Sequence, residues 1–245
     1  MKGTFNMYKR IILKLSGETL APEHFSESNA SHSFDAARVD RAAKAIVALA
    51  DLGVQVGVVM GGGNIWRGRF TDAMNPVLAD QMGMLATVIN ALAVQDAILR
   101  LGRGASVFTA QEMTRFAELY RADRADAVMN RGDIVLLAGG SGNPFFTTDT
   151  AAALRAAELR ADAVFKGTTV DGLYDSDPHK NPDAKLIRDI TYRETIERGL
   201  KVMDTSAFQM CLDQKIPCIR IFNMDDLDNI LRVARGEAIG TVVHM

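Results

Sequence analysis

The chain is poor in cysteine and histidine. Two cysteines in 245 residues, Cys211 and Cys218, are too few for a disulfide framework and too widely spaced for a CxxC metal or redox pair, so a reducing cytoplasm is the expected setting. The four histidines, His24, His32, His179 and His244, fall in loop-like stretches or at the tail, and no histidine-centred metal or acid–base site is expected. An excess of one charge is also missing. With Lys+Arg 28 against Asp+Glu 30, no basic field exists that would by itself hold nucleic acid or an anionic membrane. Neither the P-loop pattern GxxxxGK[ST] nor the GxGxxG fingerprint occurs, which removes the two standard nucleotide motifs. The apolar run Ile11–Leu13 is broken by Lys14 before it reaches the length of a secretory signal, so no export is expected.

What is present is a core. The chain is 48% hydrophobic, enough for one large α/β domain or two small ones. Strand-like runs recur at 10–15, 54–60, 105–109, 134–138, 163–165, 218–222 and 241–243, mostly separated by helical patterns, and that alternation predicts a largely parallel sheet. Val39, Ala42, Ala43, Ile46, Leu49 and Ala50 fall on one helical face between the first two strands. Later helices are expected at 80–101, 149–159, 192–198, 204–213 and 227–235, the first two opened by an aspartate, which suits a helix N-terminus. The most apolar stretch, Met82 to Leu99, is interrupted by Asn90, Gln95 and Asp96, so it reads as a buried helix and not a membrane span. It is apolar nearly all round, and its second face predicts a subunit interface. Two segments look irregular: 21–33 as a surface loop, and 171–189, dense in Asp, Pro and Gly, as an exposed hairpin or lid.

Four turns follow predicted strands, and in a parallel sheet the C-terminal strand ends line one crevice. They are Lys14-Leu15-Ser16-Gly17, the stretch from Gly61-Gly62-Gly63-Asn64 to Arg67-Gly68, the stretch from Gly139 to Asp149, and Lys166-Gly167-Thr168 onward. Three consecutive glycines bare backbone N–H groups, and an arginine can fork onto a phosphate. Lys14 and Lys166 supply positive charge, although each also fits a strand-end role, Lys166 as a snorkelling surface side chain. Asp149 either caps the helix it opens or orients the lysines. Phe145 and Phe146 suit a flat ring, with one of the two expected to anchor the core; Tyr174 and Asp177 suit a base and a ribose. Together these are the needs of phosphoryl transfer, where catalysis comes from positioning and charge neutralisation.

In this order and spacing, Lys14-Leu-Ser-Gly17, Gly61-Gly-Gly-Asn-Ile-Trp-Arg67-Gly68, the segment Asp80 to Thr87, Gly142-Asn-Pro-Phe-Phe-Thr-Thr-Asp149, Val170 to Pro178 and Lys201-Val-Met-Asp204 closely resemble the bacterial uridylate kinases of the amino acid kinase family. The resemblance implies an α/β three-layer αβα sandwich with a mainly parallel central sheet, one domain over 1–245, its acceptor-binding part about 1–150 and its ATP-binding part about 151–245. It implies ATP plus UMP giving ADP plus UDP, with Mg²⁺ entering with ATP, in a cytoplasmic homohexamer built as a trimer of dimers. Carried over by position, Lys14, Leu15, Ser16, Gly17 and Gly63 hold the ATP phosphates with Arg67, while Thr168, Tyr174 and Asp177 line the ATP nucleoside pocket. Gly62, Asp80, Ser141, Gly142, Asn143, Pro144, Phe145, Phe146, Thr147 and Thr148 form the UMP site. Lys14, Lys166, Asp149 and Arg67 carry catalysis, and Asp204 supports it; no protein ligand to a metal has convincing spacing. UTP is the implied inhibitor. Other amino acid kinases, or a nucleotide-binding storage or regulatory protein of the same fold, are the alternatives; the retention of both lysines speaks against storage.

The departures carry information as well. Gly167 stands where many relatives have alanine, Ser141 where threonine is common, and 21–33 lacks the Gly-Phe-Gly pattern associated with control. Gln95, Leu99 and Ser106 stand where members with a described GTP effector site often carry Arg, His and Arg, so weak or altered GTP activation is expected.

Overall fold

The computed structural model describes residues 8–22, 33–66 and 74–245. The reading of 21–33 as a loop therefore falls mostly outside the described residues, as does Arg67. In chain order the first half comprises β1 (Arg10–Leu15), a 3-10 turn (Gly17–Leu20), α1 (Ala36–Asp51), β2 (Gln55–Met60), α2 (Pro76–Arg100), β3 (Ala105–Thr109), β4 (Glu118–Leu119), α3 (Ala122–Asn130) and β5 (Ile134–Ala138). The second half comprises α4 (Thr148–Glu158), β6 (Ala163–Thr168), β7 (Leu173–Tyr174), β8 (Leu186–Ile187), β9 (Asp189–Thr191), α5 (Tyr192–Glu197), α6 (Thr205–Asp213), β10 (Cys218–Asn223), α7 (Asp228–Ala234) and β11 (Thr241–His244).

Nine strands form one sheet in the order β4, β3, β5, β2, β1, β6, β10, β11, β9. From β4 to β10 the neighbours are parallel; β11 runs antiparallel to β10, and β9 lies parallel to β11. Side chains alternate between the two faces as strand geometry requires. Ile11, Leu13 and Leu15 face the layer that includes α1, α2 and α7, whereas Ile12, Val59 and Val164 face that of α3, α4 and α6. Both faces are covered, so the central strands read as nearly continuous apolar runs. The result is the expected three-layer sandwich, and the segment 171–189 contains the two-stranded hairpin of β7 and β8.

Register explains the convergence of the turns. Leu15 pairs with Met60 and Lys14 with Lys166, so β1, β2 and β6 end at one edge of the sheet. The opposite end of β1 is tied down by Arg10, which is 8% exposed. Its guanidinium donates to Asp126 at 2.7 Å, to the Leu159 carbonyl at 2.5 Å and to Gln55 at 2.8 Å.

Two helix starts differ from expectation. α2 begins at Pro76, not Asp80: Asn75 accepts from the N–H groups of Val77 and Leu78 at 2.9 and 3.4 Å, and proline occupies the first turn, where its missing N–H costs nothing. Asp80 lies inside the helix and turns outward to another task. α4 is capped by Thr147, whose hydroxyl accepts from Asp149 and Thr150, so Asp149 is a first-turn residue and not the cap. By length and composition α2 could cross a membrane, yet half of its most apolar window is buried inside the protein. The helix lays Val88, Ala91, Val94, Ala97 and Ile98 on the core. Its other face leaves Leu78, Met82, Leu85 and Ile89 exposed at i, i+4, i+7, i+11, a second apolar stripe.

Candidate active site

Lys14 and Lys166 are direct neighbours across the β1–β6 pair, and by alternation both project toward the α4 side of the sheet. The N-terminus of α4 stands over them. Thr147 caps that helix, which aims the next-but-one side chain, Asp149, down at the lysines. The Lys166 ammonium lies 2.6 Å from each Asp149 oxygen, and Lys14 lies 3.5 Å from one of them. All three side chains are about nine-tenths buried. Burial pushes the Asp149 carboxyl up, but Lys14 and then Lys166 push it down further, and it stays below its ordinary value. Lys166 is lowered to about 8 by burial and by repulsion from Lys14, against the pull of Asp149. Asp149 is thus paired with both lysines, and Thr147 holds the cap position.

The N-terminus of α4 is itself anchored. Thr147 and Thr150 donate their hydroxyls to Asp204, the Thr150 bonds at 2.9 and 3.1 Å. Asp204 also caps α6 by accepting from the Ala207 N–H at 2.8 Å. One carboxylate thus joins the starts of two helices.

In the glycine turn after β2 close backbone packing holds Gly61 and Gly62. Gly61 is not a bare donor: its N–H bonds to the Leu15 carbonyl at 2.8 Å, and its carbonyl accepts from Asn90 at 2.6 Å. A Cβ at Gly61 would lie 2.9 Å from the Gly17 nitrogen, one at Gly17 2.8 Å from the Gly63 nitrogen, and one at Gly62 2.8 Å from the Gly83 carbonyl. The glycines are there because two turns and a helix press backbone on backbone. Asn64 and Asn90, both buried, exchange amide hydrogen bonds at 2.7 and 3.1 Å and lock the turn onto α2.

Two open cavities are lined by the turns that follow the strands, and both lysines line the second of them. One, of about 690 Å³, is lined by Gly62, Gly63, Trp66, Asp80, Ser141, Asn143, Phe145, Phe146, Thr147 and Thr148 among others. Its rim is held by two hydrogen bonds: Asp80 accepts the Phe145 N–H at 2.7 Å, and Thr87 accepts the Gly139 N–H at 2.7 Å. Left-handed backbone at Gly139, Gly140, Gly142 and Phe145 folds this loop back over the strand ends. Gly142 and Pro144 shape the loop without lining the cavity. Phe145 and Phe146 are 72% and 55% exposed, so neither anchors the core as one was expected to.

The other cavity, of about 560 Å³, is lined by Lys14, Ser16, Lys166, Gly167, Thr168, Val202 and Met224. Through Thr168 and Val202 it continues into a space of about 650 Å³ that holds Tyr174 and Asp177. Leu15 is buried at 1% exposure and contributes only backbone, and Gly17 supports the turn from behind. Asp149 follows directly on Thr147 and Thr148 of the first cavity while binding the two lysines of the second. Among the described residues no cluster of three His, Cys, Asp or Glu side chains could by itself hold a metal. Sequence reasoning missed Asn64, Asn90, Thr87 and Met224. Only Asn90 gave a signal, as an amide inside an apolar helix.

A parallel sheet whose strand ends carry paired lysines under a helix-borne carboxylate, with a cavity lined by both lysines, is the arrangement of a group-transfer enzyme. The chain belongs to the amino acid kinase family, which it matches over residues 9–223. Among its relatives are two proteins named uridylate kinase, from Parabacteroides distasonis and Bacteroides thetaiotaomicron. Each is 47% identical over 239 residues, 97% of this chain and 98% of the relative. The crystal structure of UMP kinase from Bacillus anthracis superposes with a TM-score of 0.90 at 34% identity, covering 97% of this chain and 96% of that one.

The buried amide pair gives a stability test. Asn90→Ala removes the donor to the Gly61 carbonyl and to Asn64 Oδ1, while the Asn64 amide keeps its bond to the Ser33 carbonyl, and is expected to cost about 1–3 kcal/mol in urea unfolding. An unchanged midpoint would remove Asn90 from this role.

Proposed function

We propose that the protein phosphorylates UMP to UDP with ATP. The observation that carries this reading is Asp149 holding Lys14 and Lys166 in one cavity while following directly in the chain on Thr147 and Thr148, which line the other. The cavity bounded by Asp80, Asn143 and Phe146 takes the acceptor, with amide and hydroxyl groups for a pyrimidine and Gly62 near its phosphate. The donor's phosphates lie along Lys14, Ser16 and Gly63, and its nucleoside reaches Thr168, Tyr174 and Asp177. An oxygen of the acceptor phosphate attacks the terminal phosphorus, the bond to the bridging oxygen breaks, and ADP leaves with the electron pair. The nucleophile is already an anion, so no general base is needed. The two ammonium groups neutralise charge on the moving phosphoryl group, and Arg67 assists. A Mg²⁺ ion bound with ATP would be held chiefly by the nucleotide's own oxygen atoms, which suit this hard cation, and would supply charge neutralisation at the phosphates.

One domain spans the chain; the acceptor cavity draws on residues 62–148, within the N-terminal part. Two unpaired thiols, Cys211 and Cys218, accord with a cytoplasmic setting. UTP is the proposed inhibitor. A coupled ADP-release assay with UMP, CMP, AMP and acetylglutamate tests the reaction; UMP should be strongly preferred, and no UMP-dependent turnover would overturn it. Lys14→Ala should lower kcat by about 10²-fold or more with a small effect on UMP binding, whereas a rise confined to the KM for UMP would remove its transition-state role.

The lysine pair also sets a pH dependence. Lys166 is charged below about 8, so kcat/KM should fall as pH rises through that value. Bound phosphates favour the ammonium, which should move the alkaline limb of kcat higher; Lys166→Arg should abolish the limb up to about pH 10. A wild-type profile flat across that range would contradict this.

The exposed stripe Leu78, Met82, Leu85 and Ile89 supports a homo-oligomer, with a hexamer of three dimers as the proposed form. Leu85→Glu with Ile89→Glu should reduce the mass found by light scattering to that of smaller species. No change in mass would exclude the stripe. For regulation, Gln95 is engaged internally, donating to the Ala105 carbonyl at 3.0 Å, and Leu99 is an exposed apolar residue. Neither supplies charge for a triphosphate effector, so GTP should activate weakly; strong sigmoidal activation of initial rates would refute this.

A further inference from the structure

Gly167 belongs to β6 one residue beyond the catalytic lysine candidate, and it pairs with Phe222 of β10. A Cβ there would overlap Met224, lying 2.8 Å from its Cγ and 3.1 Å from its Cβ, in addition to a closer approach to Sδ. The Met224 backbone cannot retreat, because its N–H donates to the Thr168 carbonyl at 2.9 Å. The side chain itself occupies the space a residue larger than glycine would fill. Met224 is only 6% exposed, yet it lines two cavities: the one with both lysines, and a neighbouring space of about 410 Å³ bounded by α1 and the turn before α7. It is the long apolar side chain on their shared boundary.

We infer that Met224, admitted by the missing side chain at Gly167, is a specificity-determining wall of the donor cavity, packing beside the sugar–triphosphate part of the donor nucleotide. This rests on the reading of that cavity as the ATP site. A partition of this kind fixes the width of the cavity near the lysines and closes it off from the space behind. Any Cβ at 167 must rotate Met224 into one cavity or the other, and close-packed interiors tolerate such insertions poorly.

The test is a double-mutant cycle read by equilibrium ATP binding without UMP, together with the KM for each substrate. Gly167→Ala should weaken ATP binding about 10-fold and raise the KM for ATP in parallel, with the KM for UMP little moved. Adding Met224→Ala to it should restore ATP binding to within about 3-fold of Met224→Ala alone. Should Gly167→Ala fail to fold, Met224→Ala by itself is expected to weaken ATP about 5-fold by joining the two spaces. ATP binding unchanged in both single variants, a double variant no better than Gly167→Ala, or equal shifts in both KM values would overturn the assignment. Absence of ATP binding to the unaltered protein would instead overturn the donor-site reading beneath it.

Discussion

Two like charges side by side on adjacent strands are the constraint around which the site is organised. Neighbouring parallel strands lie about 4.8 Å apart, so Lys14 and Lys166 repel each other at short range in a poorly solvated place. Asp149 makes the pair tenable. A carboxylate delivered by a helix N-terminus is favoured there by the helix dipole, and it accepts from both lysines. Everything that fixes the start of α4 therefore serves the lysines indirectly: the Thr147 cap, the Asp204 carboxylate beneath it, and the left-handed backbone of the preceding loop. Two cations against one anion leave an excess of positive charge at this point.

The second constraint is closeness of backbone. The turns after β1 and β2 and the middle of α2 touch without side chains between them, and the amides of Asn64 and Asn90 replace the missing packing with directed hydrogen bonds. Such polar pairs are stable in a core only when their groups are satisfied, and here they hold the turn after β2 against α2.

Much of this could be read from the residues. Apolar runs located β1, β3 and β5 to the residue because these strands are buried on both faces, and Lys14 and Lys166 stood out by ending such runs. What escaped depends on partners distant in sequence. Asp149 fits a cap equally well until Thr147 is seen to occupy that position. Asp80 resembles a helix start, whereas its carboxylate is spent on a backbone N–H 65 residues away. Three glycines resemble an anion cradle, but Gly61 gives its N–H to Leu15. The exposure of Phe145 and Phe146 follows from a positive φ at Phe145 that no local pattern announces.

β1 carries opposite duties at its two ends. It starts with Arg10, bonded into β2, α3 and the turn after α4, and it finishes five residues later at the lysines and the glycine turn. The anchoring network and the reacting end are separated by the length of one short strand, with Ile11, Ile12 and Leu13 fully buried between them. Anchorage and charge thus occupy different addresses on the same strand, and a change among Arg10 and its partners Gln55, Asp126 and Leu159 removes no side chain that lines either cavity.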